Sequence, residues 1–406
     1  MRIGILIPEF PTQTHIFFWR EVVALRKLGH SVSLLSTRRP KDACPHEFAQ
    51  EAAAETHYVY PPEVGASARS LSSGRGLART AAYVASLSGS GKERARALGF
   101  AVCGAALAEF ARRRGLEHVH VHSCADAAHV AAVAHLLRDD LSYSVHVHGD
   151  LAVYGGDHAQ KMGRAAFVAV AANPHAEQVV EQAGIPRSRV VRMPMGVDIT
   201  KFEPRRFQTD SRAPLHLVSV GRMNRCKGHV YAFEAIRRLL DSGVDLRYTV
   251  AGSGPDADAI RGDVARLKLE SKVDFVGSKS ESQVRELLGS ADAFLLTSVG
   301  LGEASPVAVM EAMAAGIPVI CSRIGGTADM IDSGVDSLLV HQEDVAGITD
   351  AIRLLHDDRM MLSRLGAGAR ERAAREFDSV VLARKFVAAI EAHAPKKSHT
   401  ASAAHA

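Results

Sequence analysis

Short apolar segments alternate with longer amphipathic segments through the first half of the chain. Such alternation predicts βαβ units, in which helices cover the faces of a parallel sheet. The predicted strands are residues 2–7, 31–36, 118–122, 143–148, 167–171 and 190–192. The predicted helices include residues 16–28, 93–113, 127–137 and 175–183.

The same pattern resumes at Leu215 and places a basic loop directly after a strand. The apolar run 215–219 is followed by Val-Gly-Arg-Met-Asn-Arg-Cys-Lys-Gly, and a helix is predicted from His229. Open α/β sheets bind ligands at the carboxyl ends of their strands. Arg222 and Lys227 in this loop could therefore neutralise a diphosphate, Arg through its planar fork and Lys as a point charge.

A second candidate site lies where a helix is predicted to begin, near residue 306. Pro306 suits the first helical position because it has no amide hydrogen to leave unpaired, and Ser305 before it is a favourable N-cap. The free amides of Val307 and Ala308, together with the positive end of the helix dipole, would then face an anion such as a diphosphate.

Glu303 and Glu311 stand eight residues apart on either side of this helix start. A carboxylate only accepts hydrogen bonds, so each could bind hydroxyl groups of a sugar or a ribose. The spacing alone fits an amphipathic helix with two ordinary surface acids equally well.

The two segments together resemble the retaining family-four glycosyltransferases of the GT-B fold. That family's pattern is Gly-Arg, a few residues, Lys-Gly and then two glutamates separated by seven residues. The resemblance covers nearly the whole chain, because residues 250–255, 273–277, 291–296 and 316–320 also follow the family's order and spacing. One departure is Asp329, where the family usually has Glu; the position is not expected to touch the reacting centre.

The resemblance implies a role for each residue of the pattern. Arg222 and Lys227 would bind the donor diphosphate, Glu303 the donor sugar and Glu311 the ribose. The turn around Gly277 would approach the base. The implied donor-binding set is Gly221, Arg222, Lys227, Gly277, Glu303, Ala304, Ser305, Pro306, Val307 and Glu311, and the implied catalytic set is His148, Arg222, Lys227 and Glu303.

The first loop is similar to the exopolysaccharide and colanic-acid branch of the family. Residues 8–17 lack the paired glycines of many members and read Phe-Pro-Thr-Gln-Thr from Phe10. Thr12, Gln13 and Thr14 would therefore contact phosphate or acceptor. An N-cap for the next helix explains Thr12 or Thr14 equally well. Acceptor specificity is expected to depend on residues 61–99.

Histidines cluster on two predicted strands. His118, His120 and His122 share one strand face, and His146 and His148 share a face of a later strand. We predict no metal site, because no carboxylate or cysteine set completes one and strand histidines are more often hydrogen-bonded core residues. By resemblance, His148 lies near the donor sugar, with Asp150 orienting it or its loop, while His146 is structural.

A chain of 406 residues exceeds what a single core usually supports, so two domains are expected. We predict an acceptor-binding Rossmann-like domain at residues 1–198 and a nucleotide-sugar-binding Rossmann-like domain at residues 199–378, facing each other across a cleft. In the family the final helix, here residues 379–392, crosses back onto the first domain. Residues 394–406 are predicted to form an unstructured tail.

Composition bounds the location and the partners. Five scattered cysteines without a Cys-x-x-Cys pair fit a reducing cytosol, and the short apolar start fits neither a signal peptide nor a membrane span. A net charge of +4 gives little reason to expect a nucleic acid. The basic segment 69–96 could meet anionic lipid or a lipid-diphosphate acceptor at the inner face of the plasma membrane; an ordinary solvated helix and loop is the alternative.

The predicted activity is transfer of a hexose-type sugar, with retention of configuration, from a nucleoside-diphosphate sugar to the hydroxyl of a sugar, lipid-linked or small-molecule acceptor. Polysaccharide, glycolipid or other glycoconjugate synthesis would use such a step. No cofactor and no metal are expected, since the nucleotide sugar is a substrate. The alternatives are a GT-B epimerase or a phosphorylase-like enzyme, and a non-catalytic nucleotide-sugar-binding protein.

Overall fold

A computed structural model describes residues 1–12, 15–41, 44, 46–71, 74–208, 213–300 and 303–394. It contains two sheets whose named strands all pair in parallel. The first half of the chain builds a seven-stranded sheet and the second half a six-stranded sheet. The predicted fold class, two Rossmann-like units of GT-B type, is therefore confirmed.

The first sheet has the order β3-β2-β1-β4-β5-β6-β7. Its strands are β1 (Arg2–Glu9), β2 (Ser31–Arg38), β3 (His57–Tyr58), β4 (His118–Val121), β5 (Ser142–Val147), β6 (Val168–Val170) and β7 (Val190–Arg192). Its helices are α1 (Ile16–Lys27), α2 (Ala49–Glu55), α3 (Val64–Leu71), α4 (Gly74–Ala85), α5 (Gly91–Arg114), α6 (Asp126–Leu137), α7 (His158–Met162) and α8 (Asn173–Ala183).

The second sheet has the order β10-β9-β8-β11-β12-β13. Its strands are β8 (Leu215–Val220), β9 (Leu246–Ala251), β10 (Val273–Phe275), β11 (Ala293–Leu296), β12 (Val319–Ser322) and β13 (Leu338–Val340). Its helices are α9 (His229–Asp241), α10 (Ala257–Arg266), α11 (Glu281–Ser290), α12 (Val307–Ala314), α13 (Thr327–Met330), α14 (Val345–Asp357) and α15 (Arg359–Arg372).

The last helix, α16 (Ser379–His393), packs on the first sheet. Leu382, Phe386 and Ile390 are buried in one cluster with Ile3 of β1 and Val22 of α1. The chain crosses between the two halves twice, near Val197 and again near Asp378. The two crossings lie side by side, since the Val197 amide donates to the Phe377 carbonyl and the Ser379 amide donates to the Val197 carbonyl. Burying an apolar helix face in this way ties the carboxyl end of the chain to its amino end.

The basic segment forms three helices rather than an isolated loop. Arg69 pairs with Glu109 at 3.3 Å, Arg79 pairs with Asp139 at 2.5 Å, and Arg96 pairs with Asp126. Pairing with nearby acids is ordinary surface chemistry and favours the solvated alternative. None of the described helices combines the length and the apolar character that crossing a bilayer requires.

The predicted roles of Gln13 and Thr14 concern residues outside the described part of the chain. The predicted tail, residues 394–406, also lies outside it apart from Ala394. The alternative role of Thr12 as an N-cap is wrong: α1 has His15 at its N-cap, and the Thr12 hydroxyl is buried without a hydrogen-bond partner among the described residues.

Candidate active site

The carboxyl ends of both sheets open onto one cleft of about 860 Å³. A volume of several hundred cubic ångströms is typical of small-molecule sites. The first half contributes to its walls Glu9, Thr12, Ile16, Phe17, Pro40, His46, His148 and Met195. Of the predicted residues in the second half, the walls include Gly221, Arg222, Lys227, Glu303, Ala304, Ser305, Pro306, Val307 and Glu311.

Two predicted parts of the site, the described residues of 61–99 and Gly277, do not line the cleft directly. None of the described residues between 61 and 99 lines the cleft. The first-half walls come instead from the ends of β1 and β2 with their following loops, the start of α1, His148 and Met195. Gly277 also lies behind the wall: its carbonyl accepts a hydrogen bond from the Gly252 amide at 2.9 Å, while Ser278 and Lys279 face the cleft. The turn around Gly277 therefore reaches the cleft through its neighbours.

The floor of the cleft is made of two loops whose backbones touch. A Cβ atom at Gly252, where φ is +145°, would lie 1.8 Å from the Gly221 carbonyl oxygen. A Cβ atom at Gly254 would lie 2.2 Å from the Met223 carbonyl oxygen. Only glycine permits such an approach, which explains why the segment after β9 carries two glycines beside the basic loop after β8.

Lys227 and Glu303 form an ion pair inside the cleft. The Ser298 hydroxyl donates a second hydrogen bond to the same Glu303 carboxylate oxygen, at 3.0 Å. The Lys227 side chain is 20% exposed and that of Glu303 is 10% exposed, so both face a partly dehydrated space. Groups predicted to bind diphosphate and sugar separately are thus direct neighbours, and a ligand between them would meet both.

Arg222 is exposed on the cleft wall. Within the part of the chain that the structure describes, its side chain has no hydrogen-bond or ion-pair partner. Its five N–H donors are therefore available to an anion in the cleft.

Helix α12 begins one residue later than predicted. Pro306 is the N-cap rather than the first helical residue, because its ψ of 116° is extended. Ser305 consequently does not cap the helix, and its hydroxyl donates to the Met330 sulfur at 3.5 Å. The Pro306 carbonyl accepts from the amides of Val309 and Met310. The amides of Val307 and Ala308, which line the cleft, have no hydrogen-bond partner among the residues that the structure describes, as is usual for the first turn of a helix.

The loop that carries Glu303 is held from behind by Gly325 and Gly326. A Cβ atom at Gly325 would lie 1.5 Å from the Glu303 carbonyl oxygen, and the Gly326 amide donates to the Ala304 carbonyl at 2.8 Å. Sequence reasoning assigned no role to this glycine pair. Nearby lies Asp329, the position where the family usually has Glu. Its carboxylate accepts hydrogen bonds from the Asn173 backbone amide at 2.7 Å and from the Asn173 side chain at 3.0 Å, and these bonds join the two halves.

Glu311 is paired with an arginine that sequence reasoning missed. Arg20 on α1 donates to a Glu311 oxygen at 2.5 Å and to a Glu281 oxygen at 3.0 Å, although it lies in the other half of the chain. Burial alone would lower the pKa of Arg20, but the two carboxylates outweigh it and raise that pKa. One sequence signal could have identified Arg20: a charged residue on the apolar face of a predicted amphipathic helix needs a buried partner of opposite charge.

His148 lies where β5 ends and lines the cleft, as the resemblance implied. Its Nε2 is 3.1 Å from Nδ1 of His122. Burial lowers the pKa of His146 and of His148 well below the usual histidine range, so both rings are neutral near pH 7. The His146 Nε2 donates to the Met193 carbonyl at 2.9 Å, which is a structural role.

Asp150 does not contact His148. Its carboxylate accepts a hydrogen bond from Gln178 at 2.7 Å and lies 3.9 Å from His175 Nε2. Of the two alternatives predicted for Asp150, the geometry therefore fits support of the loop rather than orientation of the His148 ring.

Comparison with known proteins agrees with this architecture. Residues 202–372 match the family described as glycosyl transferases group 1. The chain is 27% identical to a putative colanic acid biosynthesis glycosyltransferase of Escherichia coli (strain K12), over 97% of this chain and all of the other. It is 30% identical to an amylovoran biosynthesis glycosyltransferase of Erwinia amylovora, where it spans about half the length of that relative, 52%.

Solved structures share the fold at low identity. A glycosyltransferase from Rickettsia africae superposes with a TM-score of 0.71 at 17% identity, over 96% of this chain and 98% of the other. The Anabaena protein HepE in complex with UDP-glucose superposes with the same TM-score of 0.71 at 15% identity, over 97% of this chain and all of the other. Residues 202–372 therefore match the glycosyl transferases group 1 family, and the chain as a whole shares the GT-B-type fold of these solved glycosyltransferases.

Proposed function

We propose that the protein transfers a hexose-type sugar from a nucleoside-diphosphate sugar to an acceptor hydroxyl, with retention of configuration. The observation that carries this proposal is the convergence of Arg222, Lys227 and the start of α12 on one cleft that also holds Glu303 and Glu311. Cationic and amide donors suit a diphosphate, and the two carboxylates suit hydroxyl groups.

Catalysis in this proposal comes from stabilising the departing diphosphate. Negative charge that develops on the leaving group would be met by Arg222, Lys227 and the free amides of Val307 and Ala308. The leaving phosphate accepts the proton of the acceptor hydroxyl, so no covalent sugar-enzyme intermediate is needed. His148, a neutral ring beside the cleft, hydrogen-bonds the sugar, and the acceptor approaches from the first-half wall that includes Thr12.

Protein cations suffice for the diphosphate in this arrangement. We therefore propose that donor binding and turnover need no added Mg²⁺ or Mn²⁺. The relatives named for colanic acid and amylovoran synthesis support surface polysaccharide assembly as the setting. The complex of a structural neighbour with UDP-glucose makes uridine nucleotides the first donors to test.

The test is a thermal-shift and calorimetric screen of nucleotide sugars, followed by turnover with a panel of sugar and lipid-linked acceptors. Nuclear magnetic resonance of the product would show the anomeric configuration, and retention is expected. Inversion would overturn the mechanism. Formation of an epimer without acceptor would favour the epimerase, and tight donor binding without turnover on any acceptor would favour a non-catalytic binding protein.

A further inference from the structure

A small cavity of about 20 Å³ lies beneath the cleft, between the first sheet and helix α16. Its walls include Glu21 of α1, His122, His146 and Met193, and they are closed by Leu382 and Phe386. The space accommodates one water molecule or one ion. The predicted diphosphate-binding residues Arg222 and Lys227 do not line it.

Three buried histidine rings cluster at this cavity: His122 and His146 line it, and His120 packs against both of them. Among the described residues, His120 Nε2 and His146 Nδ1 have no hydrogen-bond partner, and the Glu21 carboxylate is the one polar group paired with His122 Nε2. One nitrogen from each of these three rings lies within 4.8 Å of the others. The Glu21 Oε2 lies 3.1 Å from His122 Nε2, and the Glu21 Oε1 is also buried without a hydrogen-bond partner. Unpaired polar atoms in a core are costly unless something binds them.

The hydrogen-bond chain along β4 and β5 fixes which nitrogen of His120 carries the proton. The Ser142 hydroxyl donates to the Glu117 carbonyl, so it accepts from His118 Nδ1–H. With the proton on Nδ1, the other nitrogen of the His118 ring, Nε2, accepts from the Ser144 hydroxyl at 2.7 Å. Having donated there, Ser144 accepts from His120 Nδ1–H, which leaves a lone pair on His120 Nε2.

A single hydrogen bond decides which nitrogen of His146 carries the proton. Its Nε2 contacts the Met193 carbonyl, which only accepts, so the proton is on Nε2 and the lone pair is on Nδ1. The His120 and His146 rings thus each keep one unpaired nitrogen lone pair and are held by a hydrogen bond on the other nitrogen. Metal-binding histidines show this arrangement, because the outer hydrogen bond fixes the ring and its tautomer.

We propose that His120 Nε2, His122 Nε2 and His146 Nδ1, together with the Glu21 carboxylate, bind one divalent transition-metal ion of the zinc type. Three neutral imidazoles and a carboxylate are a donor set that Zn²⁺ accepts in four-coordinate geometry. Bonds of about 2.0–2.1 Å require the three nitrogens, which lie within 4.8 Å of one another, and the Glu21 oxygen, which lies outside that group, to draw closer through side-chain rotation. The ion also compensates the Glu21 carboxylate.

Such an ion would join α1 to β4 and β5, and it would act on His148 indirectly. With His122 Nε2 bound to metal, its Nδ1 carries the proton and donates to His148 Nε2 at the observed 3.1 Å. Neutral His148 then carries its own proton on Nδ1. This consequence, unlike the metal site itself, rests on the proposed role of His148 in the donor site.

The test uses the full, untagged chain purified without a metal column. After treatment with a chelator, Zn²⁺ and Co²⁺ are titrated by calorimetry and by visible absorption. We expect one equivalent of Zn²⁺, a higher Tm with Zn²⁺, and a Co²⁺ absorption band typical of four-coordinate nitrogen and oxygen ligands. No donor sugar is used, so failure here is independent of the proposed function.

Variants assign the site. His146→Gln and His120→Gln should each weaken Zn²⁺ binding by at least about tenfold, by removing a ligand. His129→Gln is the control, because His129 is a buried histidine of the same half that is bonded to Tyr83 and lies outside the cluster. Equal binding in all three variants would overturn the proposal. So would the absence of both Zn²⁺ binding and a Co²⁺ band in the native chain, which would assign the cavity to water and would not depend on whether a variant folds.

Discussion

At the residue scale, the contact between Lys227 and Glu303 joins two positions that lie 76 residues apart in the chain. The sequence identified each side chain as a polar group beside a strand end or a helix start. It could not show that the ammonium and the carboxylate are neighbours, because that depends on how the β8 and β11 loops pack. Their proximity makes the charge of one residue matter to the other.

Lys227→Ala should lower turnover by about 10²–10³-fold, because it removes a cation from the developing diphosphate charge. Arg225→Ala is the matched control, since Arg225 shares the same turn but points to Asp263 at 2.9 Å. Steady-state kinetics with saturating donor would measure both. Unchanged turnover in Lys227→Ala, or an equal loss in Arg225→Ala, would contradict the role given to Lys227.

Glu303→Ala should also lower turnover by about 10²–10³-fold, while the affinity for the free nucleoside diphosphate is not lowered. The reason is that Glu303 is assigned to the sugar rather than to the phosphates. Ser298→Ala removes only the hydroxyl that holds Glu303 and should lose about three- to tenfold. Calorimetry with the nucleotide alone is the decisive measurement, and a large loss of nucleotide affinity in Glu303→Ala would refute the assignment.

At the element scale, strands and long helices were predictable because their apolar residues repeat at the period of the structure. Strand β7 matches its predicted bounds, and the helix predicted at 127–137 begins one residue earlier. Helices α3 and α4 were not predicted, because their Ser-, Gly- and Ala-rich composition is typical of loops, although both helices are amphipathic. The start of helix α12 was predicted to within one residue. The extended ψ of Pro306 makes that residue the N-cap, so the helix begins at Val307.

Helix α5 carries a titratable contact that predicts acid behaviour. Glu109 accepts hydrogen bonds from Arg112 and Arg113 on its own helix and from Arg69 of α3. The guanidinium of Arg112, with those of Arg113 and Arg69, lowers the pKa of Glu109 to about 2 despite its burial.

Because the folded pKa lies below the unfolded one, the contribution of Glu109 is fully present above about pH 4.5 and is lost as the pH falls toward 2. Glu109→Gln should therefore lower Tm by about 2–4 °C at pH 7 and flatten the fall of Tm with acid. Glu181→Gln, at an exposed position of α8, is the control. Parallel Tm curves for Glu109→Gln and the native chain between pH 7 and 3 would exclude this contribution.

At the scale of the whole molecule, ionic contacts and hydrogen bonds join the two halves on both sides of the cleft. Arg20 reaches Glu281 and Glu311 on one side, and Asn173 reaches Asp329 on the other. The sequence separations are 261 and 291 residues for the Arg20 contacts, so no local pattern could reveal them. The glutamate expected to bind ribose is thus also part of the contact between the halves.

Arg20→Met should reduce the free energy of unfolding by about 3–5 kcal/mol, because it leaves two carboxylates with less compensation in a buried place. Arg26→Met on the same helix should cost about 0–1 kcal/mol, since its pair with Glu55 is partly exposed. Urea unfolding of the two variants in parallel gives the comparison. Similar losses in both would show that the buried contact has no special weight.

The sequence by itself determined the two parallel sheets, the strand-loop and helix-start positions of Lys227 and Glu303, and the family pattern that links them. These follow from local periodicity and from residue types at fixed spacing, which do not depend on the remainder of the fold. Only the tertiary structure decided that Arg20 contacts Glu311, that Gly325 supports Glu303, and that Glu21 lies beside the strand histidines. Those contacts join distant segments, and their geometry is set by how helices and sheets pack rather than by any pattern within one segment.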